Sequence, residues 1–269
     1  MRVSIGHVTR YTYAEPTGYS IQSLRLTPPS FQGQRVIEWR VSAPGIDKAT
    51  SFRDGFGNFT QLCVCTGNHS EVPIIAKGVV ETEDRAGVVK GILEAAPPRI
   101  FLRQTEKTRA SPGLADLATS ARADGTLAGM HRLMAAVAEA VIYKIGSTTA
   151  HTSAAEALAA GEGVCQDHAH VFIAAARTLG VPARYVCGYF YAGGDEPSEA
   201  HHAWAEVWID GLGWVGFDPA NGMCPTERYV RLATGLDAMS AAPIRGARRG
   251  SSHEELDVIV EVQQQNSQQ

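Results

Sequence analysis

Cys165 stands in the run Gly161-Glu162-Gly163-Val164-Cys165-Gln166-Asp167, and the stretch behind it (Val171, Phe172, Ile173, Ala174, Ala175, Leu179) is broadly apolar. That pattern predicts a buried helix over 165–179 with Cys165 at its start and Gly180 and Pro182 stopping it. A thiol there faces free N–H groups and the positive end of the helix dipole, which favour the thiolate. The Cys165 amide, with Gln166 beside it, could also hold an oxyanion. Taken alone, a cysteine is more commonly a small buried hydrophobe, so its neighbours must decide.

The first neighbour lies in His201-His202-Ala203-Trp204-Ala205-Glu206-Val207-Trp208-Ile209. Strand alternation gathers Ala203, Ala205, Val207 and Ile209 on an aliphatic face and sends His202, Trp204, Glu206 and Trp208 to the other. A histidine at a strand's start, beside an indole, can be desolvated and still reachable, as a general base needs. The next strand ends in Trp214-Val215-Gly216-Phe217-Asp218-Pro219. A hairpin about 211–213 that pairs Trp208 near Trp214 brings His202 and Asp218 to one end, where the carboxylate could hold one imidazole nitrogen. An Asp before Pro is equally a turn former.

Other readings of these residues are weaker. Cys165 and His168, three residues apart, have the spacing of metal ligands. His170, however, lies about 500° around the helix from Cys165 and so diverges by roughly 140°. No metal or cofactor is expected. Asp167 reads as a first-turn acid favoured by the dipole. His201 is expected to point to the aliphatic side or into a loop, and Trp204 to wall a cleft if it leaves the core. Cys63 and Cys65, two apart on a strand, share a face without a second pair to complete a zinc site.

These groups need elements to hold them. Up to about residue 95 the chain is strand-like, with short β-rich runs at 10–14, 36–41, 59–65 and 74–81 separated by turn signals such as Pro28-Pro29 and Asp54-Gly55. This predicts an N-terminal antiparallel, sandwich-like β domain over 1–95. A proline-bearing segment, 94–112, then crosses to a catalytic domain over 96–269. There, 114–145 turns helical, with the stripe Met130, Leu133, Met134, Val137, Val141. Thr152 or Ser153 caps a short helix that Gly161 ends. Strands follow at 184–191, 203–209 and 214–217, then a last strand at 256–262 and a frayed Gln- and Ser-rich tail. A helix on an antiparallel sheet is an α+β arrangement.

The bulk properties exclude several classes. The 269 residues are 44% hydrophobic and 19% charged, a globular mixture. A net charge of −4 lacks the basic excess that nucleic acid demands. No apolar run approaches a membrane span or a signal peptide, and five dispersed cysteines suit reduced thiols, so a cytoplasmic protein is expected.

The runs Gly163-Val164-Cys165-Gln166-Asp167, Leu179-Gly180-Val181-Pro182-Ala183-Arg184-Tyr185-Val186, His202-Ala203-Trp204 and Gly213-Trp214-Val215-Gly216-Phe217-Asp218-Pro219 resemble the bacterial transglutaminase-like superfamily of papain-like Cys, His, Asp enzymes. The resemblance is strongest over 125–222, and the N-terminal region, with Asp54-Gly55-Phe56-Gly57-Asn58, is similar to the β domain that precedes many such catalytic domains. It implies Cys165 as nucleophile, His202 as base and Asp218 as the orienting acid. The implied substrate is a peptide or protein amide, and hydrolysis is the expected outcome, with acyl transfer to an amine as the alternative. The rival is a peptide-binding module with an inert Cys165.

Overall fold

The computed structural model describes residues 1–193, 201–250 and 253–265. The first sheet is built on two long strands, β1 (Arg2–Leu24) and β4 (Phe59–Thr82), flanked by β2 (Gln34–Ser42) and β3 (Thr50–Arg53), all antiparallel. Alternation drives the burial: Val3, Ile5, His7 and Thr9 of β1 face inward. The short runs expected at 10–14, 59–65 and 74–81 are pieces of these two long strands, which carry Pro16, Gly18 and Gly67 in their interior. In the fold they fall where the pairing of β1 on β4 shifts register, between Thr12 and Tyr19. A bulge absorbs them and the strands continue.

The chain leaves this sheet earlier than residue 95, since β5 (Val88–Val89) already pairs with the second sheet. Helices α1 (Pro112–Ser120), capped by Ser111, and α2 (Leu127–Ala140), capped by Thr126, follow. The expected stripe of α2 is buried from Met130 to Val137. Strand β6 (Ile142–Tyr143) leads to α3 (Ala154–Ala160), which Ser153 and Glu156 close with a capping box and Gly161 ends at φ 69°. Next come β7 (Glu162–Gly163) and α4 (Cys165–Thr178).

The second sheet adds β8 (Ala183–Phe190), β9 (His201–Ile209), β10 (Gly213–Phe217) and β11 (Tyr229–Gly235), in the order β11-β8-β9-β10-β5. The β9–β10 hairpin pairs Trp208 with Trp214, the register its sequence suggested. Ala203, Ala205 and Val207 share one core with Phe172 and Ile173 of α4, so the aliphatic side of β9 is the side that holds the helix. The connector lies against the other side: Phe101 meets Trp214 edge-on with 5.2 Å between ring centres, and Glu94 pairs with Arg184 at 3.0 Å.

The chain then returns. Strand β12 (Ile244–Arg248) and strand β13 (Glu254–Gln264) both pair antiparallel with β1. The final strand, assigned from sequence to the catalytic domain, therefore completes the first sheet. The reason is long-range: β1 offers a free edge from Val3 to Tyr13, and β13 satisfies it residue by residue. The expected turn at 193–195 extends beyond the described residues, and the tail at 266–269 lies outside them. Among the described residues no helix is long and apolar enough to cross a membrane.

The two sheets dock through side-chain amides on backbone. Gln34 donates to the Arg231 carbonyl at 2.9 Å and accepts from the Arg231 N–H at 2.7 Å. Asn58 does the same for Thr234, at 2.8 and 2.9 Å, and Asp54 in turn holds Asn58 and Arg25. Val3, Ile5 and Ile74 then share a core with Tyr189, Val230 and Leu232 of the second sheet.

Candidate active site

Cys165 is partly exposed at the first turn of α4. The first N–H groups of a helix lack partners within it; here those of Asp167 and His168 reach the Val164 carbonyl, which leaves the amides of Cys165 and Gln166 free for a ligand. Gln166 itself is half-buried beside the thiol.

Asp167 does more than bias the helix dipole. It is buried, and its Oδ2 accepts from the Val164 N–H at 2.9 Å and from the Thr148 hydroxyl at 2.6 Å, which fixes the backbone entering the nucleophile turn. Gly163 makes room for it: a Cβ there would sit 2.7 Å from the Asp167 Cβ. Gly163→Ala is thus expected to cost about 1–3 kcal/mol by overpacking, read by urea unfolding, with slower alkylation of Cys165. An unchanged unfolding midpoint would show that the turn yields freely.

His168 sits behind the turn, its Nδ1 on the Val164 carbonyl at 2.9 Å and its Nε2 on the Val141 carbonyl at 2.7 Å. Its ring bolts α4 to the end of α2. His170 accepts from the Ala238 N–H at 3.0 Å, and burial pushes its imidazole down to about 4.

His202 begins β9 with its Nε2 2.6 Å from Asp218 Oδ2, at the end of the β9–β10 hairpin. Cys165 is the other group close enough to act on the charge of this imidazole. With Nε2 held by the carboxylate, Nδ1 is the nitrogen left for the sulfur. Burial alone would lower this imidazole, but the hydrogen bond to Asp218, the Cys165 contact and the Asp218 charge outweigh it and push it up to about 10. A histidine raised above its unfolded value of about 6.5 stabilises the fold below that pH and loses the contribution as pH climbs toward 10. Wild type should therefore lose stability between pH 6.5 and 10 relative to His202→Gln, measured as the difference between their urea midpoints. A flat difference would refute a charged His202.

Asp218 is fully buried and well satisfied. Its Oδ2 also accepts from Asn221 Nδ2 at 2.8 Å and from the Tyr229 hydroxyl at 2.7 Å, while Oδ1 accepts from the Ala220 and Asn221 amides at 3.1 and 3.3 Å. Burial would raise this carboxyl; His202 and the donors bring it below the usual range instead. Trp204, expected as a cleft wall, is buried with Val186 and Tyr229, and its ring lies 6.4 Å from that of His202. It is a backing for the imidazole. His201 stands beside His7 and Tyr189.

Cys165, at the start of α4, is thus brought to His202 and Asp218, which share the end of the single β9–β10 hairpin. Tyr229 and Asn221 were missed. Asn221 had a signal, since an Asp-Pro turn often recruits a polar side chain three residues on. Tyr229 had none, because its strand follows a long irregular segment and joins β8 from the far edge.

Residues 114–219 match the family described as the transglutaminase-like superfamily, and residues 3–81 match the bacterial transglutaminase-like N-terminal region. An uncharacterized protein of Mycobacterium leprae is 30% identical over 275 residues, covering 97% of this chain and 98% of its own. One of Mycobacterium tuberculosis is 31% identical over 293 residues, 97% of this chain and 92% of its own. The fold is also that of a Cytophaga hutchinsonii protein described as a putative cysteine protease, with a TM-score of 0.73 at 21% identity, covering all of this chain and 92% of that one. With both regions matched in order and relatives similar along nearly its whole length, this chain belongs to the bacterial transglutaminase-like superfamily.

Proposed function

We propose that the protein is a cysteine-dependent amide hydrolase working through a thioacyl intermediate. The observation that carries this reading is the buried 2.6 Å bond between His202 and Asp218, which leaves the other imidazole nitrogen for the nearby Cys165. An imidazole raised to about 10 is protonated at neutral pH, and the reaction proposed here runs from a Cys165 thiolate beside that imidazolium.

The Cys165 sulfur attacks the carbonyl carbon of a peptide, isopeptide or Gln side-chain amide, and the carbonyl π pair moves onto oxygen. The amides of Cys165 and Gln166 receive that oxyanion. Collapse breaks the C–N bond, and the departing nitrogen takes the proton from His202 Nδ1. Water then gives a proton to the now neutral His202 and adds to the thioester, and collapse releases the acid and the thiolate. Asp218 stays ionised throughout, holding the ring and its charge.

An amine in place of water gives acyl transfer by the same steps. Water is taken as the acceptor here, with the amine reading kept as the alternative that the experiment separates from it. The test is incubation of the full chain with a peptide and Gln-amide library, with and without added amine, followed by intact-mass analysis. An acyl adduct on wild type that is absent from Cys165→Ala, resolving to acid, supports hydrolysis. Resolution to the amine adduct alone would make the protein a transferase, and no adduct with any substrate would favour the binding module.

A further inference from the structure

The docking of the two sheets encloses a cavity of about 270 Å³, well away from Cys165, for which the proposed chemistry has no use. Its walls come from the loop after β1, the Asp54-Gly55-Phe56-Gly57-Asn58 turn, the connector at Leu93, and strands β8 and β11. Three arginines line it, Arg53, Arg184 and Arg231, and no acidic residue does.

Two of these arginines are buried and incompletely used. Arg184 gives Nε to Glu206 at 2.6 Å and Nη1 to Glu94 at 3.0 Å; its Nη2 is buried without a partner. Arg231 gives Nε and Nη2 to the same Glu206, at 2.9 and 3.3 Å, and among the described residues its Nη1 donates to nothing. Arg53 stands exposed, with Nη1 on the Gly57 carbonyl. The Arg184 Nη2 is closed off from solvent, so the donors that an occupant could reach are the Arg231 Nη1, which is neither bonded nor fully buried, and the exposed Arg53 guanidinium, and open guanidinium donors on a largely apolar wall suit an acceptor that is not part of the chain. The rest of the wall is apolar, including Phe56, Phe59, Leu232 and the exposed Leu93.

We propose that this cavity is a binding site for a small organic acid, whose carboxylate takes the open donors of Arg53 and Arg231 while its apolar body lies against Phe56, Phe59 and Leu232. Fork-shaped guanidinium donors match the two oxygens of a carboxylate, and an inorganic anion would leave the apolar wall unused. The pocket bridges both sheets, so an occupant also ties the N-terminal sheet to the sheet that carries His202. The proposal stands apart from the reaction assigned to Cys165.

The experiment is isothermal titration of the full chain with hexanoate, inorganic phosphate and hexylammonium at matched ionic strength. Variants Arg53→Glu and Leu93→Asp change exposed residues at the wall, so the fold is not at stake; Arg231→Lys keeps the charge beside Glu206 but removes the free Nη1. Saturable binding of one hexanoate per chain is expected, weakened at least 10-fold in each variant, with no binding of hexylammonium and at least 10-fold weaker binding of phosphate. Absence of saturable hexanoate binding, equal binding of phosphate, or unchanged affinity in all three variants would overturn the proposal.

Discussion

Exchanging His202 for Ala is expected to slow alkylation of Cys165 by iodoacetamide at pH 6 by about 100-fold. The thiolate is the reactive form of a cysteine, and under the proposed mechanism the imidazolium that Asp218 keeps protonated favours it. The background should be low: burial pushes the Cys63 thiol up, Cys224 to about 11 and Cys187 to about 12. Peptide mass analysis of the labelled chain, from pH 5 to 9, resolves each cysteine. Cys165 labelling no faster than Cys65 in either protein would remove it as a nucleophile and leave the binding module as the better reading.

The second large effect is structural. Glu206→Gln should destabilise the protein by about 3–5 kcal/mol, because it leaves two buried guanidiniums without their shared counter-charge. Glu206 is 1% exposed and takes Arg231 on both oxygens and Arg184 on one of them, while Arg184 also lies 3.9 Å from the centre of the Trp214 ring. Burial would raise this carboxyl, and the two arginines bring it below its ordinary value instead. For a chain of this size the loss corresponds to a fall in Tm of about 10 °C, measured by calorimetry. A fall of under about 2 °C would mean that water reaches the cluster and screens it.

The site was more legible than the architecture around it. Cys165 is announced by a glycine-rich turn before an apolar helix, and His202 by alternation along β9. Asp218 follows from the tight hairpin whose register pairs Trp208 with Trp214. Each depends on residues within about ten positions, the range over which periodicity and turn chemistry speak. The partners that complete these groups come from further away. Tyr229 reaches Asp218 from a strand at the opposite edge of the sheet, and Arg231 meets Glu206 across β8. The short runs 10–14, 59–65 and 74–81 proved to be parts of long strands because only the facing strand decides whether residues such as Pro16 and Gly67 make a bulge or a turn. The last strand read correctly as a strand; nothing local said which sheet had an open edge.

That closing strand has a consequence for how the chain is made. Residues 3–13 of β1 are made long before β13, at 254–264, which pairs with them, so the first sheet is completed only after the residues of the second have been made. Contacts of such sequence separation form slowly. Until they do, a nascent or truncated chain carries eleven residues of open strand edge, a template for pairing with another copy. A ribosome stalled before residue 250 would thus release a chain with Cys165, His202 and Asp218 all present, but with an unpaired edge that invites aggregation and removal by quality control.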